Sequence, residues 1–409
     1  MISGHLDAST KGESPIGVNP WHTRGHLVCS HLRMNSKPHQ LPATKNHSTR
    51  AFPLNFPLQE APSQSSTPLF PGTPPSKVNG QAFSPPPVQP TRFLESISTE
   101  MAELEGMIRE QAQSEIPLLN SVSSHLLEAG GKRLRPAMVL LGASLLRLPD
   151  ERVMQAALVV EYLHTATLLH DDVVDGGSTR RGRKAARTLW GDEASVLSGD
   201  YLFSLAFHTL TQLRRPDVLE LMSNTTTKMA SGELLQLTRN SLDSSEANYY
   251  EIINRKTACL FGAATKMGVL LSGASPEAAQ GLYEYGVALG MAFQIVDDAL
   301  DYSDALQTGK SVGTDLQERK ITLPLSHLLH QGSSEAQAEV RSILSEPVIA
   351  DRHVAQVIGL MQDCGSIPYT LETARGFAAD AQTSLATLPD SPTRQLLSEI
   401  AEFVVDRKS

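Results

Sequence analysis

The chain has 409 residues, with 35 Lys and Arg against 44 Asp and Glu and a formal net charge of −9. This balance argues against general nucleic-acid binding, because neutralising phosphates requires clustered basic charge. No stretch approaches 18 consecutive apolar residues, which excludes a membrane-spanning helix. The cysteines are three in number and far apart, at Cys29, Cys259 and Cys364. Neither a disulfide scaffold nor a cysteine zinc site is therefore expected, and a reducing compartment fits.

Residues 1–90 differ in composition from the rest of the chain. They hold 15 of the 25 prolines and 7 Lys and Arg, but only 3 acidic residues. Such a leader cannot bury enough apolar surface to offset its chain entropy, so it is predicted to be disordered. Three interpretations stay open: a transit peptide for the mitochondrial matrix or plastid stroma, a disordered tail, or an early start codon with initiation near Met101. Without a transit peptide the expected location is cytoplasmic.

Residues 91–409 are predicted to form one all-α domain. Apolar side chains recur three and four positions apart, as in Phe93, Ile97, Met101, Leu104 and Ile108. This spacing places them on one face of a helix. No run of alternating β-branched and aromatic residues bounded by hairpin turns is present, so a sheet is not expected. The length of this helical region, without an internal linker, favours a single large bundle.

Two short acidic motifs carry the chemistry. They are Asp171-Asp172-Val173-Val174-Asp175 and Asp297-Asp298-Ala299-Leu300-Asp301, and each follows an apolar helical run. Spacing of i and i+4 puts the first and last carboxylates of each motif on one helix face, where they repel one another. Hard oxygen ligands suit Mg²⁺, which takes one or two carboxylates and completes its shell with water and substrate phosphates. The pair of motifs therefore predicts magnesium sites.

Basic residues flank both motifs. Gly131–Pro136 contains three cations, and Arg180–Lys184 contains four more just after the first motif. Further along the chain lie Lys256, Lys310 and Lys320. Beside magnesium-binding carboxylates, such residues are typical of diphosphate clamps, with Arg giving forked contacts.

Together these segments resemble the trans-polyprenyl diphosphate synthases of the isoprenyl diphosphate synthase family, and in particular its long-chain, octaprenyl- or solanesyl-like members. The resemblance covers about residues 95–409. It implies an all-α isoprenoid synthase fold around a deep central cavity, and usually a homodimer. The matching stretches are GGKRLRP (130–136), LHTATLLHDDVVD (163–175), STRRG (178–182), SVLSGDYLF (195–203), GELLQL (232–237), RKTACLF (255–261), FQIVDDALDY (293–302) and GKSVGTDLQERKITLPL (309–325).

The resemblance also assigns roles in joining an allylic diphosphate to successive isopentenyl diphosphate units. Catalysis is implied for Asp171, Asp175, Asp297, Lys256 and Lys310, and binding of two or three Mg²⁺ ions for these aspartates with Asp172, Asp298 and Asp301. Isopentenyl diphosphate would contact Lys132, Arg135, His164 and Arg181. The allylic diphosphate would contact Arg180, Lys256, Thr257, Gln294, Lys310 and Lys320.

Product length is expected to depend on the helix before the first motif. Positions one to three turns before Asp171 would line a tunnel running along that helix, since one turn rises about 5.4 Å. Near the motif these side chains are small, which resembles the enzymes that make long quinone side chains. The positions are Ala166, Thr167, Leu163 and Val160.

Three alternative functions remain open from the sequence. One is a short-chain farnesyl or geranylgeranyl diphosphate synthase, and another is a class I terpene cyclase. The third is a silent subunit of a heteromer. The second motif ends in Asp301 and a second basic site is present at Lys132 and Arg135, which argues against a cyclase. Both acidic motifs are intact, which argues against a silent subunit.

Overall fold

The computed structural model describes residues 92–111, 114–127, 131, 133–180, 182–238, 245–303 and 312–407. The predicted leader lies outside the described residues, as do Lys132, Arg181 and Lys310. Within the described ranges, no helix combines the length and apolar character needed to cross a bilayer.

The first half of the described chain contains the helix that ends in the first acidic motif. This helix, α5, begins after Asp150, whose carboxylate accepts the backbone N–H groups of Arg152 and Val153 and so caps the first turn. The elements are α1 (Arg92–Ser96), α2 (Ser98–Gln111), α3 (Pro117–Leu127), α4 (Leu134–Ser144), α5 (Glu151–Val174), β1 (Thr179–Arg180), β2 (Arg183–Lys184), α6 (Ala186–Trp190), α7 (Asp192–Gln212) and α8 (Pro216–Thr238).

The second half contains the helix that ends in the second acidic motif, α11. Ser275 caps it through the backbone N–H of Ala278, and Pro276 occupies its first turn, where a missing N–H has no cost. The elements are α9 (Glu246–Ile253), a π-helical turn (Asn254–Ala258), α10 (Cys259–Leu271), α11 (Pro276–Leu300), α12 (Thr314–Gln317), α13 (Leu323–Gln331), α14 (Ser334–Leu344), α15 (Asp351–Cys364), α16 (Ser366–Ser384), a 3₁₀ turn (Leu385–Thr387) and α17 (Pro392–Asp406).

Four long helices form the centre of the apolar core. α4 packs along α5 and α10, α10 packs along α11, and α7 and α16 cover the outer sides of α5 and α11. The predicted all-α fold is confirmed. The difference is a two-residue antiparallel hairpin, β1–β2, which pairs Thr179 with Lys184 and turns through Gly182 at φ 74°. A hairpin this short leaves no alternating apolar pattern in the sequence, so it was expected as a loop.

Arg133 has a different role from the one predicted. The three cations of the basic run before α4 were interpreted together as diphosphate clamps. The Arg133 side chain is 7% exposed and pairs with Glu161 inside the bundle. Its Nε also donates to Glu105 Oε1 at 2.7 Å, and its Nη2 donates to the carbonyl of Leu127 at 2.6 Å. Glu161 lies in the apolar middle of α5, where a lone charge would be costly. Arg133 therefore ties α2, α3, α4 and α5 together instead of binding substrate.

We expect Arg133→Leu to lower the free energy of unfolding by about 3–5 kcal/mol, because Glu161 would keep a buried, unpaired charge. Denaturant unfolding measures this loss. The matched control is Arg152→Leu, which removes an exposed partner of Asp150 and should change stability by less than about 0.5 kcal/mol. Similar losses in the two variants would contradict a structural role for Arg133.

Candidate active site

Both acidic motifs lie at the C-terminal ends of long helices and face one cleft. α5 ends at Asp175 and α11 ends at Asp301, which are the two C-cap residues. Gly176 follows with φ 68° and turns the chain away from α5. The cleft is lined by Asp172, Asp175, Gly177, Thr179, Arg180, Gln294, Asp297, Asp298, Asp301, Thr314, Asp315, Glu318 and Lys320.

The position of these carboxylates is electrostatically unfavourable for the protein alone. The C-terminal end of a helix carries partial negative charge, so Asp side chains there are destabilising and cations are favoured. Two such ends meet at this cleft. Their negative charge is partly compensated by Arg and Lys residues from other elements.

Asp172 is held by the hairpin. Its side chain is fully buried, and Arg180 on β1 lies 2.6 Å from its Oδ1. Burial raises the pKa of Asp172, and Arg180 only partly offsets this. The other oxygen, Oδ2, is buried and has no hydrogen-bond partner among the described residues. A buried carboxylate oxygen without a donor fits a site that a cation completes.

Asp171 lies near Lys256, which is on the π-helical turn. Lys256 Nζ is 3.7 Å from Asp171 Oδ2 and 2.8 Å from Glu233 Oε1 on α8. This approach depends on Gly232, where a Cβ atom would lie 2.9 Å from the backbone nitrogen of Lys256. Burial raises the pKa of Glu233, as does the charge of Asp171. π-helical turns are rare and often occur at functional sites.

Asp175 is paired with Lys320. Lys320 Nζ lies 2.7 Å from Asp175 Oδ2 and 2.8 Å from Glu318 Oε2. Burial alone would lower the pKa of Lys320, but these two carboxylates outweigh it and raise the pKa. Lys320 thus connects the loop after α12 to the end of α5.

The second motif has partners that the sequence did not indicate. Arg407, just after α17, places Nη2 2.8 Å from Asp297 Oδ1, and its guanidinium lies 4.0 Å from the ring centre of Phe293. The backbone N–H of Asp315 donates to Asp301 Oδ2 at 2.9 Å. No spacing rule links position 407 to Asp297. Asp315 lies inside the segment GKSVGTDLQERKITLPL, which resembles the family. The sequence could therefore have indicated that Asp315 lies near the motif.

Asp298 is directed into the protein. Tyr249 on α9 donates its hydroxyl to Asp298 Oδ2 at 2.6 Å, and Gln294 Nε2 donates to Oδ1 at 2.8 Å. Thr257 in turn donates its hydroxyl to Gln294 Oε1 at 2.9 Å. Burial raises the pKa of Asp298 to about 7, although the Tyr249 and Gln294 hydrogen bonds lower it. Thr257 and Gln294, predicted to contact allylic diphosphate, therefore belong to this chain of hydrogen bonds.

Arg135 and His164 lie together, as predicted for a second diphosphate site. Arg135 Nη1 is 3.2 Å from His164 Nε2, and its guanidinium lies 4.6 Å from the ring centre of Phe261. Both side chains are partly exposed. The other predicted members of this site, Lys132 and Arg181, lie outside the described residues, as does Lys310 of the allylic site.

The four predicted chain-length residues have different surroundings. Val160, Leu163 and Ala166 are buried in the apolar core, with at most 1% exposure. Thr167 is partly exposed, and its hydroxyl donates to the backbone carbonyl of His164 at 2.8 Å. Thr167 also lies one turn before Asp171, on the same face of α5.

The donor set of the cleft fits a divalent cation. Its carboxylates are hard oxygen ligands of the kind that Mg²⁺ prefers. Among the described residues, no three acidic, histidine or cysteine side chains are arranged to hold an ion by themselves. Mg²⁺ is usually bound by one or two carboxylates together with waters and substrate phosphates.

Comparison with known proteins gives the family. The family model described as polyprenyl synthetase matches residues 116–361. The chain belongs to the polyprenyl synthetase family. It is 40% identical to the octaprenyl diphosphate synthase of Escherichia coli (strain K12) over 319 residues, which are 77% of this chain and 98% of that protein. These findings confirm the predicted family and prenyltransferase activity.

Solved structures give the same result. The decaprenyl diphosphate synthase from Rhodobacter capsulatus aligns with a TM-score of 0.72 at 40% identity, covering 78% of this chain and 99% of that one. The polyprenyl synthase from Caulobacter crescentus CB15, complexed with calcium and isoprenyl diphosphate, aligns with a TM-score of 0.75 at 36% identity, covering 78% and 98%. The predicted isoprenoid synthase fold and long-chain trans-prenyltransferase class are confirmed.

The raised pKa of Asp298 predicts a pH dependence of stability. In the unfolded chain this carboxyl titrates near 3.8, whereas the folded protein keeps its proton up to about pH 7. The folded state therefore binds more protons in this window, and the free energy of unfolding should fall as pH rises through it.

Denaturant unfolding in excess chelator at several pH values measures this slope. Asp298→Asn should flatten it. Asp217→Asn is the control, because Asp217 pairs with Arg215 at the surface, which lowers its pKa. An unchanged slope in Asp298→Asn would contradict the assignment.

Proposed function

We propose that this protein elongates an allylic diphosphate with successive isopentenyl diphosphate units, and that the resulting all-trans polyprenyl diphosphate supplies a quinone side chain. The observation that carries the proposal is the meeting of two acidic helix ends in one cleft with Arg and Lys at its edge. The Arg135–His164 pair supports a second diphosphate site, which a terpene cyclase does not need.

The carboxylates of the cleft would hold two or three Mg²⁺ ions, and these ions would supply Lewis-acid neutralisation of the departing diphosphate. Asp171, Asp175 and Asp297 are the best-placed ligands, with Asp172 and Asp301 beside them. Both carboxylate oxygens of Asp298 accept hydrogen bonds from protein donors, so Asp298 supports the motif from the side of the protein interior.

The cations of the cleft bind the allylic diphosphate. Arg180, Lys256 and Lys320 each contact an aspartate of the first motif, so they already surround the place where a diphosphate would lie. Charge-assisted contacts from Arg and Lys stabilise the negative charge that develops as the diphosphate leaves. Lys310 adds to this set.

The reaction breaks the allylic C–O bond and one C–H bond, forms one C–C bond and re-forms a double bond. The allylic C–O bond ionises, the diphosphate departs with the electron pair, and the isopentenyl double bond attacks the allylic cation to form a C–C bond. A proton is then lost, and the released diphosphate is the base. Arg135, His164, Lys132 and Arg181 hold isopentenyl diphosphate so that its double bond faces the cation.

The deciding experiment incubates the protein with Mg²⁺, labelled isopentenyl diphosphate and an allylic primer. We expect strict dependence on the divalent cation. Asp171→Ala and Asp297→Ala should each lower turnover by at least roughly 10²–10³-fold, because each removes a group that stabilises departing charge.

Asp217→Ala on the surface is the control and should keep wild-type turnover. Circular dichroism should show the same helical content in all variants. Full turnover in excess chelator, or near wild-type turnover in Asp297→Ala, would refute the metal assignment.

Chain length is set along α5. The growing tail moves away from the metal-binding carboxylates, and burying it is favourable by about 0.8 kcal/mol per CH₂. Growth therefore continues until a side chain blocks the tail. Thr167 is the partly exposed member of the four candidate positions, while Ala166 is enclosed by the core.

We expect Thr167→Phe to shorten the product to three or four isoprene units with catalysis retained. Ala166→Phe is the paired variant, and overpacking the core there should cost roughly 1–3 kcal/mol of stability. Chromatography of dephosphorylated products measures length, and thermal unfolding measures stability. Unchanged product length in a folded Thr167→Phe variant would show that the tail does not pass this face.

The protein is a homodimer that pairs through α7. Val196, Leu197 and Phe203 on this helix are 36%, 67% and 37% exposed, and Phe203 stacks on Phe207 at 5.1 Å. Positions 196, 203 and 207 lie on one helix face. Exposed apolar residues grouped on one face are typical of protein–protein contacts.

Phe203→Glu should convert the dimer to a monomer, as measured by light scattering at micromolar concentration. Leu148→Glu is the control, because Leu148 is 82% exposed and lies in the loop between α4 and α5. A monomeric wild-type protein, or a Phe203→Glu variant of unchanged mass, would contradict pairing through α7.

A further inference from the structure

A chain of hydrogen bonds supports the second acidic motif, and two of its members, Gln294 and Asp298, also line the cleft. It runs from Thr257 to Gln294 and on to Asp298, and it is closed from the other side by Tyr249. Tyr249 is 4% exposed and Asp298 is 5% exposed. The Tyr249 hydroxyl is 2.6 Å from Asp298 Oδ2, a distance usual for a charge-assisted hydrogen bond to a carboxylate.

This chain of hydrogen bonds links two separate parts of the fold. Tyr249 lies on α9, four residues before that helix ends at Ile253, and the π-helical turn follows directly. Asp298 lies in the last turn of α11. A small apolar cluster packs the two together, including Ile253, Ile295 and Val296. The hydroxyl of Tyr249 is a polar contact that α9 makes with this motif.

We propose that Tyr249 is a positioning residue for the second acidic motif. Its hydroxyl fixes the Asp298 carboxylate, and the fixed carboxylate holds the end of α11 so that Asp297 and Asp301 face the cleft. The inference rests on the proposed function, because it assumes that the cleft binds a divalent cation.

The hydroxyl can be removed without removing the ring. In Tyr249→Phe the aromatic ring keeps its place in the apolar cluster and its edge contact with Tyr250, 5.5 Å between ring centres. What is lost is one donor to a buried carboxylate. Asp298 Oδ2 then lacks this donor, so the Asp298 side chain is no longer held in its present orientation.

We expect Tyr249→Phe to weaken cation binding by roughly 10–100-fold, the usual effect of losing a group that orients a metal site. The probe is Mn²⁺ with inorganic diphosphate, and free Mn²⁺ is counted by electron paramagnetic resonance. In the assay, kcat should fall while the KM for isopentenyl diphosphate stays within about twofold, because Arg135 and His164 are untouched. Raising Mg²⁺ should restore part of the turnover.

The matched control is Tyr285→Phe. Tyr285 is also fully buried, and its hydroxyl donates to the carbonyl of Leu397 at 2.8 Å, away from both acidic motifs. This variant should lose stability as Tyr249→Phe does, yet bind Mn²⁺ like wild type. A merely structural role for Tyr249 would give both variants the same Mn²⁺ affinity, and would overturn the proposal.

A double-mutant cycle tests the route of the effect. If Tyr249 acts through Asp298, adding Tyr249→Phe to Asp298→Asn should change Mn²⁺ affinity by less than about twofold. Additive losses would overturn this route. Failure of wild-type protein to bind Mn²⁺ with diphosphate would refute the cation site and the positioning role together, whereas equal affinity in wild type and Tyr249→Phe would refute the positioning role alone.

Discussion

The constraint on which this site depends is the meeting of two helix C-termini that both carry aspartates. The helix dipoles place partial negative charge there, and the carboxylates are negative as well. The ends of α5 and α11 therefore repel one another. Cations from the adjoining hairpin and from more distant segments stabilise this region. Arg180, Lys256 and Lys320 serve the first motif, and Arg407 serves the second.

The rest of the bundle positions these two helix ends. α10 packs against both α5 and α11 and so keeps them at a fixed separation. Close helix contacts depend on residues without side chains, such as Gly268, where a Cβ would lie 2.1 Å from the Val139 carbonyl oxygen. Such a rigid frame suits catalysis that relies on preorganised charges, since the charges need not rearrange as the bond breaks.

The sequence predicted the parts of the site that are local in the chain. Asp171 and Asp175 are one helical turn apart, so their common face follows from spacing alone, and the same holds for Asp297 and Asp301. Arg133 was misjudged because its partner Glu161 is 28 residues away, and neighbours in sequence do not reveal an ion pair inside a bundle. Tyr249 and Arg407 were missed for the same reason, since only tertiary packing brings them to the second motif.

The pairing of Lys320 with Asp175 has a thermodynamic consequence for substrate binding. In the absence of substrate, the lysine neutralises a carboxylate that a metal ion would use, and the carboxylate occupies a lysine that a diphosphate would use. A metal ion at Asp175 would have to displace Lys320, which frees the lysine for a diphosphate. A diphosphate at Lys320 would likewise have to displace Asp175, which frees the carboxylate for a metal ion. Binding of either makes binding of the other more favourable, and by reciprocity the gain is the same in both directions. Under the proposed function, the cleft would therefore select a metal–diphosphate pair over either component alone.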